Sequence, residues 1–309
     1  MKPRVGFVGL GQMGKWMAIN VWKAGFPLAV YDIRPGPVGE LVEHGAVGGE
    51  SSEDVARQAE VILLSLPDVP EVEEVIFGEK GLVKGLTPGS TVVDLSTISY
   101  LATLRIEKAL REKRVTFIDA PVSGLEARAK TATLTLMVGG DPKEVEKIRP
   151  ILEVIGNNIV YTGGTGNGQL TKIINNLFYN ISVAAMAELL PMAVKLGLDP
   201  EAVCRVVNTG TGRTFGLEFF GPSILENKFD VGYPLNKAYK DMVNAAEIST
   251  RMKIPLPVFS AAMETYQLTL AQGWGDEGKG AMIKVWERVL GVEVRKKPAH
   301  SPLPKETVS

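Results

Sequence analysis

Residues 4–25 read RVGFVGLGQMGKWMAINVWKAG, and this stretch decides the fold. Residues 4–9 mix β-branched and aromatic side chains with glycine, the composition of a short strand. The strand runs into Gly9-Leu10-Gly11-Gln12-Met13-Gly14 and then a helical stretch closed by Gly25. A bare Gly-x-Gly-x-x-Gly is a weak signal, but here a strand precedes it, a helix follows it, and a second strand at 28–31 ends in Asp32. Each glycine has its own reason. Gly9 permits the tight turn, Gly11 lets backbone approach a pyrophosphate, and Gly14 lets the helix pack closely on the strand. A dinucleotide diphosphate is then expected at the helix N-terminus, where free N–H groups and the helix dipole favour an anion. Asp32, eighteen positions past Gly14, is placed to accept hydrogen bonds from the adenosine ribose diol. A carboxylate there repels a 2′-phosphate and favours NAD, while Arg34 is close enough to pair with that phosphate, so NADP stays open.

The strand–helix alternation continues outward from this unit. The apolar run EVILLSL (60–66) suits a central parallel strand buried on both faces, and its end at Leu66-Pro67 borders the expected cofactor edge. A strand at 90–95 delivers Ser96 and Thr97 to the same edge. A helix at 100–114 and a strand at 115–118 lead into Asp119-Ala120-Pro121-Val122-Ser123-Gly124. Further strands are expected at 132–138 and 158–161. The pattern predicts an α/β fold: a Rossmann, doubly wound sheet over residues 1–163.

A different regime follows. Residues 165–197 read TGNGQLTKIINNLFYNISVAAMAELLPMAVKLG. Ile173, Leu177, Ile181, Ala184, Ala185 and Leu189 recur near every third or fourth position, which predicts one mostly buried helix over about 166–195. Lys172 and Asn176 lie four apart on one face. Pro191 is expected to kink or end the helix. Beyond it only helical patterns occur, at 199–209, 214–220, 235–252, 255–272 and 278–290. The expectation is an all-α C-terminal domain, 164–291, joined to the sheet by the long helix. Residues 292–309 are rich in Pro, Lys and Ser and are expected to be disordered.

Composition narrows the function class. A chain of 309 residues exceeds the usual size of one core. A net charge of −1 gives no electrostatic case for nucleic acid or an anionic membrane surface. Every apolar run of eighteen residues has polar interruptions, and the N-terminus enters a strand without signal-peptide anatomy, so no membrane partner is expected. The single cysteine, Cys204, follows the helix-start signal LDPEAV and reads as a buried structural thiol in a reducing compartment, the cytoplasm. His44 lies beside a helix C-cap at Gly45 and His300 in the polar tail, so neither is a candidate for a metal or a triad.

Four stretches together resemble the β-hydroxyacid dehydrogenase family, which includes 3-hydroxyisobutyrate dehydrogenases and glyoxylate or succinic semialdehyde reductases. They are VGLGQMGKWMAINVWKAG from Val8, DLSTI from Asp94, DAPVSG from Asp119 and GNGQLTKIINN from Gly166. Tyr239-Lys240-Asp241 resembles the family's Lys-Asp pair on a C-terminal helix. The resemblance spans residues 4–290. It implies that Lys172 is the catalytic acid/base, that Asn176 helps hold the substrate, and that Ser123 and Gly124 grip its carboxylate. It implies further that Thr97 and Lys240 lie near the nicotinamide and its ribose, that Tyr233 fills an aromatic substrate position, and that the protein is a homodimer or homotetramer. The chemistry fits the residue types. Hydride transfer to or from a carbonyl needs a proton moved in step, and a lysine whose ordinary pKa is about 10.4 serves near neutrality only if burial lowers it.

The sequence departs from the family where substrate is read. Leu125, Arg128 and Ala132 stand where the family usually has glycines, and Lys237 is less expected. Leu125 is expected to forbid a glycine-only backbone conformation. Arg128 is read as solvated in preference to an anion partner. The substrates expected are hydroxy acids of the 3-hydroxyisobutyrate, 4-hydroxybutyrate or glycolate type, with a four-carbon semialdehyde bearing a distal carboxylate leading. An imine-reductase-like NADP oxidoreductase and a non-catalytic, dehydrogenase-like binding protein are the alternatives. The first usually lacks a lysine at this position; the second is expected to lose Lys172 or gain a basic extension.

Overall fold

Short runs of branched apolar residues build the centre of a sheet. In the computed structural model, which describes residues 2–296, β1 (Val5–Val8), α1 (Gly14–Lys23), β2 (Leu28–Tyr31), α2 (Pro35–Glu43) and β3 (Val47–Gly48) form the first half. Then follow α3 (Ser52–Gln58), β4 (Val61–Leu64), α4 (Val69–Phe77), β5 (Thr91–Asp94), α5 (Tyr100–Glu112) and β6 (Thr116–Asp119). The strand order is β3-β2-β1-β4-β5-β6, all parallel. Alternate residues of each strand serve opposite faces. Phe7, Leu63 and Val93 join the core beneath α1, while Val8, Ile62, Leu64 and Val92 join the core with Val55, Ile76 and Ile106. Both faces are dry, which is why β4 reads as an unbroken apolar run.

The sheet continues past β6 through β7 (Val122–Ser123), α6 (Leu125–Lys130), β8 (Leu134–Gly139), α7 (Pro142–Leu152) and β9 (Gly156–Gly163). Here the parallel pattern breaks: β8 runs antiparallel to β6 and β7, and β9 is parallel to β8. The strand expected at 158–161 is therefore longer, and the segment 122–123, read in sequence only as part of a motif, is a short edge strand. The edge strand was not legible because a two-residue strand carries no periodicity.

The remaining elements are helical: α8 (Asn167–Lys195), α9 (Pro200–Thr209), α10 (Phe215–Leu225), α11 (Leu235–Met252), α12 (Pro257–Ala271) and α13 (Ile283–Leu290). The chain divides into two compact units, Met1–Ile174 and the part from Asn175 onward. The division falls inside α8, whose first turns are hydrogen-bonded to the sheet's own strand ends, as described below. Pro191 does not end α8, which runs to Lys195. The proline sits in the last turns, where only one backbone hydrogen bond is forfeited, and Leu190 and Ala193 beside it are buried. The buried stripe also differs from the one expected. Ile173 and Ala184 are buried, but Leu189 is exposed, and Val183, Met186, Ala187 and Leu190 form the dry face of the second unit. Among the described residues α8 alone has the length and composition to cross a bilayer. It carries Lys172, Asn175, Asn176, Asn180 and Glu188, and its buried face makes it a core helix.

The expectation of disorder from residue 292 does not hold for residues 294–296. The Val294 side chain is fully buried and its amide donates to Glu287 Oε1 at 2.7 Å, Arg295 pairs with Glu287 at 2.6 Å, and Lys296 pairs with Glu201 at 2.9 Å. These contacts hold 294–296 on the second unit; the rest of that expectation lies outside the described residues. Cys204 is buried on α9, and burial together with Asp199 pushes its thiol up, as a structural role requires.

Candidate active site

Strand order reverses direction between β1 and β4, and in such sheets the crevice at that point receives ligands. The Gly9–Gly14 loop leaves β1 at that crevice. The Gly9 amide donates to the Tyr31 carbonyl at 2.9 Å and Ser65 N donates to Val8 O at 3.0 Å, tying the loop to β2 and β4. Gly9 has φ +93°, and a Cβ there would strike the Ser65 carbonyl. A Cβ on Gly14 would run into the Gly9 carbonyl, whereas one on Gly11 would meet nothing within 4 Å. The three glycines thus separate as the sequence implied: two are required by the protein's own packing, and one faces open space that a diphosphate can fill. The donor set and this opening fit a dinucleotide. Gly11→Ala is accordingly expected to leave the unfolding midpoint within about 0.5 kcal/mol of wild type while weakening NAD(P)H binding about tenfold or more, read by cofactor fluorescence. Gly14→Ala is expected to cost on the order of 1–3 kcal/mol of stability from overpacking.

Asp32 follows β2. Its Oδ2 accepts from the Leu10 amide at 2.7 Å, and its Oδ1 accepts from the Arg34 amide and Nε, both at 2.9 Å. Arg34 also donates to the Leu10 carbonyl at 3.2 Å. Burial acts to raise the Asp32 carboxyl, but the Arg34 and Leu10 hydrogen bonds and the Arg34 charge outweigh it and hold the group below its ordinary value. Arg34 therefore lies against the Asp32 carboxylate and offsets part of its charge.

Leu66 and Pro67 follow β4, and Thr97 follows β5, all on the same sheet edge. The Leu66 amide donates to Ser96 Oγ at 2.9 Å, which locks the two loops together. The start of α8 is fastened to this edge by two buried side chains that the sequence reading had not assigned. Asp119, at the end of β6 and fully buried, accepts from the Gly166 amide at 2.7 Å and the Gln169 amide at 2.9 Å. Gln169, also fully buried, donates to the Ser96 carbonyl at 2.7 Å and accepts from the Ile98 amide at 3.2 Å, gripping both neighbours of Thr97. Burial pushes the Asp119 carboxyl up to about 6, against the amides of Gly166, Gln169 and Gly168 that pull it down. Lys172, three residues past Gln169, is 9% exposed. Its helical turn is thus set by the ends of β5 and β6. The sequence signal for both anchors was present, in DAPVSG and GNGQLTK, but which polar atoms meet was not.

Ser123 closes β7 opposite Thr135, and Gly124 turns the chain with φ +142°. Leu125 has φ +59° and Ala132 φ +54°. The expectation that Leu125 forbids a glycine-type conformation is therefore corrected: the left-handed backbone persists without the glycine. The strain, about 1–2 kcal/mol per residue, is held by the packing of α6 on α1. Arg128 is exposed, in keeping with the solvated reading.

In the second unit Asn176 Nδ2 donates to Asp241 Oδ2 at 2.8 Å, and Asp241 is buried on α11. One turn along α8, Asn180 Oδ1 accepts from Lys279 Nζ at 2.6 Å, and that ammonium lies 4.2 Å from the centre of the Tyr179 ring. Lys279 is 5% exposed and had no sequence signal, since it lies between two glycines at the end of the loop-like stretch GDEGK. Tyr233 precedes α11 and is exposed; Lys240 lies within α11 beside Asp241.

Comparison with known proteins agrees with this arrangement. Residues 4–163 match the family described as "NAD binding domain of 6-phosphogluconate dehydrogenase", and residues 166–286 match "NAD-binding of NADP-dependent 3-hydroxyisobutyrate dehydrogenase". The chain is 37% identical over 94% of its length to 2-(hydroxymethyl)glutarate dehydrogenase of Eubacterium barkeri, covering 97% of that protein. It is 36% identical over 92% of its length to 2-hydroxy-3-oxopropionate reductase of Escherichia coli, again covering 97%. The chain belongs to the β-hydroxyacid dehydrogenase family. A crystal structure of 3-hydroxyisobutyrate dehydrogenase from Salmonella typhimurium superposes with a TM-score of 0.83 at 27% identity, covering 92% of this chain and all of that one. This member of the family is an NAD(P)-dependent oxidoreductase that moves hydride between the nicotinamide and a small hydroxy acid or semialdehyde acid.

Proposed function

We propose that the enzyme acts on a small semialdehyde acid whose second end carries a carboxylate, with NAD preferred and Lys172 as the acid/base. The observation that carries this reading is Lys172 itself: a nearly buried amine on a helical turn fixed by Asp119 and Gln169 at the cofactor edge of the sheet. When bound, the nicotinamide supplies or takes the hydride. The chain's part is to move the proton at the carbonyl or hydroxyl oxygen, which Lys172 Nζ does, and to orient the acid. Ser123 and Gly124 offer a hydroxyl and backbone N–H groups to its carboxylate, and Asn176 and Tyr233 are its remaining substrate residues. Gly9 to Gly14, Asp32, Arg34, Leu66, Pro67, Thr97 and Lys240 are assigned to the cofactor. Substrates with a carboxylate are favoured by the names of the relatives, one of which is a substituted glutarate and so carries two. The preference for NAD is supported by the side chain of Asp32, 7% exposed and held ionised beside the phosphate loop.

Helix α8 and its neighbours in the second unit expose Phe178, Leu189, Leu196 and Phe215, an apolar surface suited to self-association. This supports a homodimer or homotetramer; the single buried thiol supports a cytoplasmic setting.

The test is a set of initial rates with NADH and NADPH against succinic semialdehyde, glyoxylate, methylmalonate semialdehyde and a carboxylate-free aldehyde. One semialdehyde acid is expected to lead by kcat/KM, at least about tenfold over the uncharged aldehyde, the value of one charge-assisted hydrogen bond. Equal turnover of the uncharged aldehyde sinks the substrate reading, and a preference for NADPH sinks the assignment of Asp32 as the selector.

A further inference from the structure

Helix α6 has six residues, too few to be stable alone. What holds it is α1. Glu126, in the first turn of α6, accepts from Gln12 Nε2 at 2.9 Å with Oε2. Its Oε1 accepts from Trp16 Nε1 at 3.1 Å and pairs with Lys130 Nζ at 2.7 Å. One turn further along α1, Asn20 Nδ2 donates to the Ala129 carbonyl at 2.8 Å, and Lys130 Nζ lies 4.7 Å from the centre of the Trp16 ring. Gln12, Trp16 and Asn20 are spaced four apart, so one face of the phosphate loop and α1 is stitched to α6 along its length. Only Gln12 belongs to the loop itself.

The placement matters because of what flanks Glu126. Ser123 and Gly124 precede it by three and two residues, and the corner between them and Glu126 contains φ values of +142° at Gly124 and +59° at Leu125. A corner of that kind does not hold itself open; its geometry is imposed by whatever fixes the helix after it. That fixture is a carboxylate whose outermost donor is the loop expected to close over a diphosphate. The hydrogen bonds from Lys130, Gln12 and Trp16 hold the Glu126 carboxyl down to about 2, so its charge is constant across any workable assay pH.

We propose that Glu126 is a positioning residue that joins the dinucleotide loop and the carboxylate-gripping loop into one binding unit. Cofactor on the Gly9–Gly14 loop fixes Gln12; Gln12 fixes Glu126; Glu126 fixes Ser123 and Gly124. The acid substrate then binds more tightly to the cofactor-loaded enzyme than to the free enzyme, and by linkage the cofactor binds more tightly when the acid is present. This rests on the reading of Ser123 and Gly124 given above.

The test is a two-substrate rate matrix, NADH or NADPH against succinic semialdehyde, or against glyoxylate if that is the faster substrate. It yields the cofactor's dissociation constant from the free enzyme and from the substrate complex, whose ratio is the coupling factor. For the wild type the expected ratio is about tenfold, within the ordinary range for coupled sites, and unchanged from pH 6 to pH 8.5. In Glu126→Ala the ratio falls toward one, KM for the acid rises by the same factor, and cofactor affinity of the free enzyme moves little. Glu126→Gln, which keeps an acceptor for Gln12, retains part of the ratio. A wild-type ratio of one, a full ratio in Glu126→Ala, or a loss carried by kcat instead of KM overturns the proposal. Ser123→Ala separates the two readings: unchanged KM for the acid there means the carboxylate grip is misassigned, whereas a raised KM with an intact ratio in Glu126→Ala sinks only the coupling.

Discussion

Lys172→Ala lowers kcat by at least about a hundredfold, and by up to about ten-thousandfold, the range spanned by positioned general acids and bases. The expectation follows from how little else at the sheet edge can move a proton. Ser123 and Thr97 offer only aliphatic hydroxyls, and Asp119 has both oxygens engaged by the amides that start α8. Lys172 sits three residues past Gln169 on a turn whose amide and side chain are held by β5 and β6, so its removal leaves the scaffold in place. NAD(P)H affinity is therefore expected to stay within about threefold of wild type, the loss falling on the chemical step. Small primary amines added to the assay are expected to restore part of the rate. Initial rates and cofactor titration on the same preparation check all three outcomes. A variant that keeps its rate ends the acid/base assignment.

Asp119→Ala is expected to destabilise the first unit by on the order of 2–4 kcal/mol, because it strands two buried amide donors and opens a cavity. The effect is readable by urea unfolding followed through Trp16 and Trp22, both in that unit. Asp119→Asn gives a finer prediction with a sign. Burial raises the folded carboxyl to about 6 from an ordinary 3.8. Between those values the folded state holds a proton that the unfolded chain has released. The group's contribution is thus fully present below pH 3.8 and is lost as pH rises through 6. Stability of the wild type attributable to this residue falls from pH 4 to pH 7, and the asparagine variant lacks that slope. The wild-type advantage over Asp119→Asn is therefore expected to shrink toward neutral pH. A difference that grows over the same range shows instead that the ionised carboxylate is the favoured partner of the Gly166 and Gln169 amides.

These two residues also mark how far a sequence can be read. The Gly9–Gly14 loop was legible because its three glycines answer three local demands: a turn at φ +93°, a helix packed against the Gly9 carbonyl, and an open face at Gly11. Each demand is set by neighbours within a few residues or one strand away, and the strand and helix around the motif announce themselves by their own periodicity. Helix α8 was legible in extent for the same reason. Its buried face was not: Leu189 fits the apolar stripe on paper yet is exposed, while Val183 and Met186 are buried, because a helix apolar on several sides does not say which side meets the core. Leu125 misled in the opposite direction. Local sterics favour glycine at φ +59°, but the stitching of α6 to α1 overrides that preference.

By itself, then, the sequence determined the Rossmann half, the helical half and the nucleotide loop, since each depends on periodicity or on residue types at short spacing; the candidate lysine came from the resemblance of the GNGQLTKIINN stretch to the family. Only the tertiary structure decided what holds Lys172 and Ser123 in place. Asp119 reaches Gly166 and Gln169 across about fifty residues of chain, and Glu126 reaches Gln12 across 114. Such pairings have no local signature, because a buried carboxylate is read the same way in sequence whichever amide it meets, and the partner is chosen by where the sheet order sets each strand end.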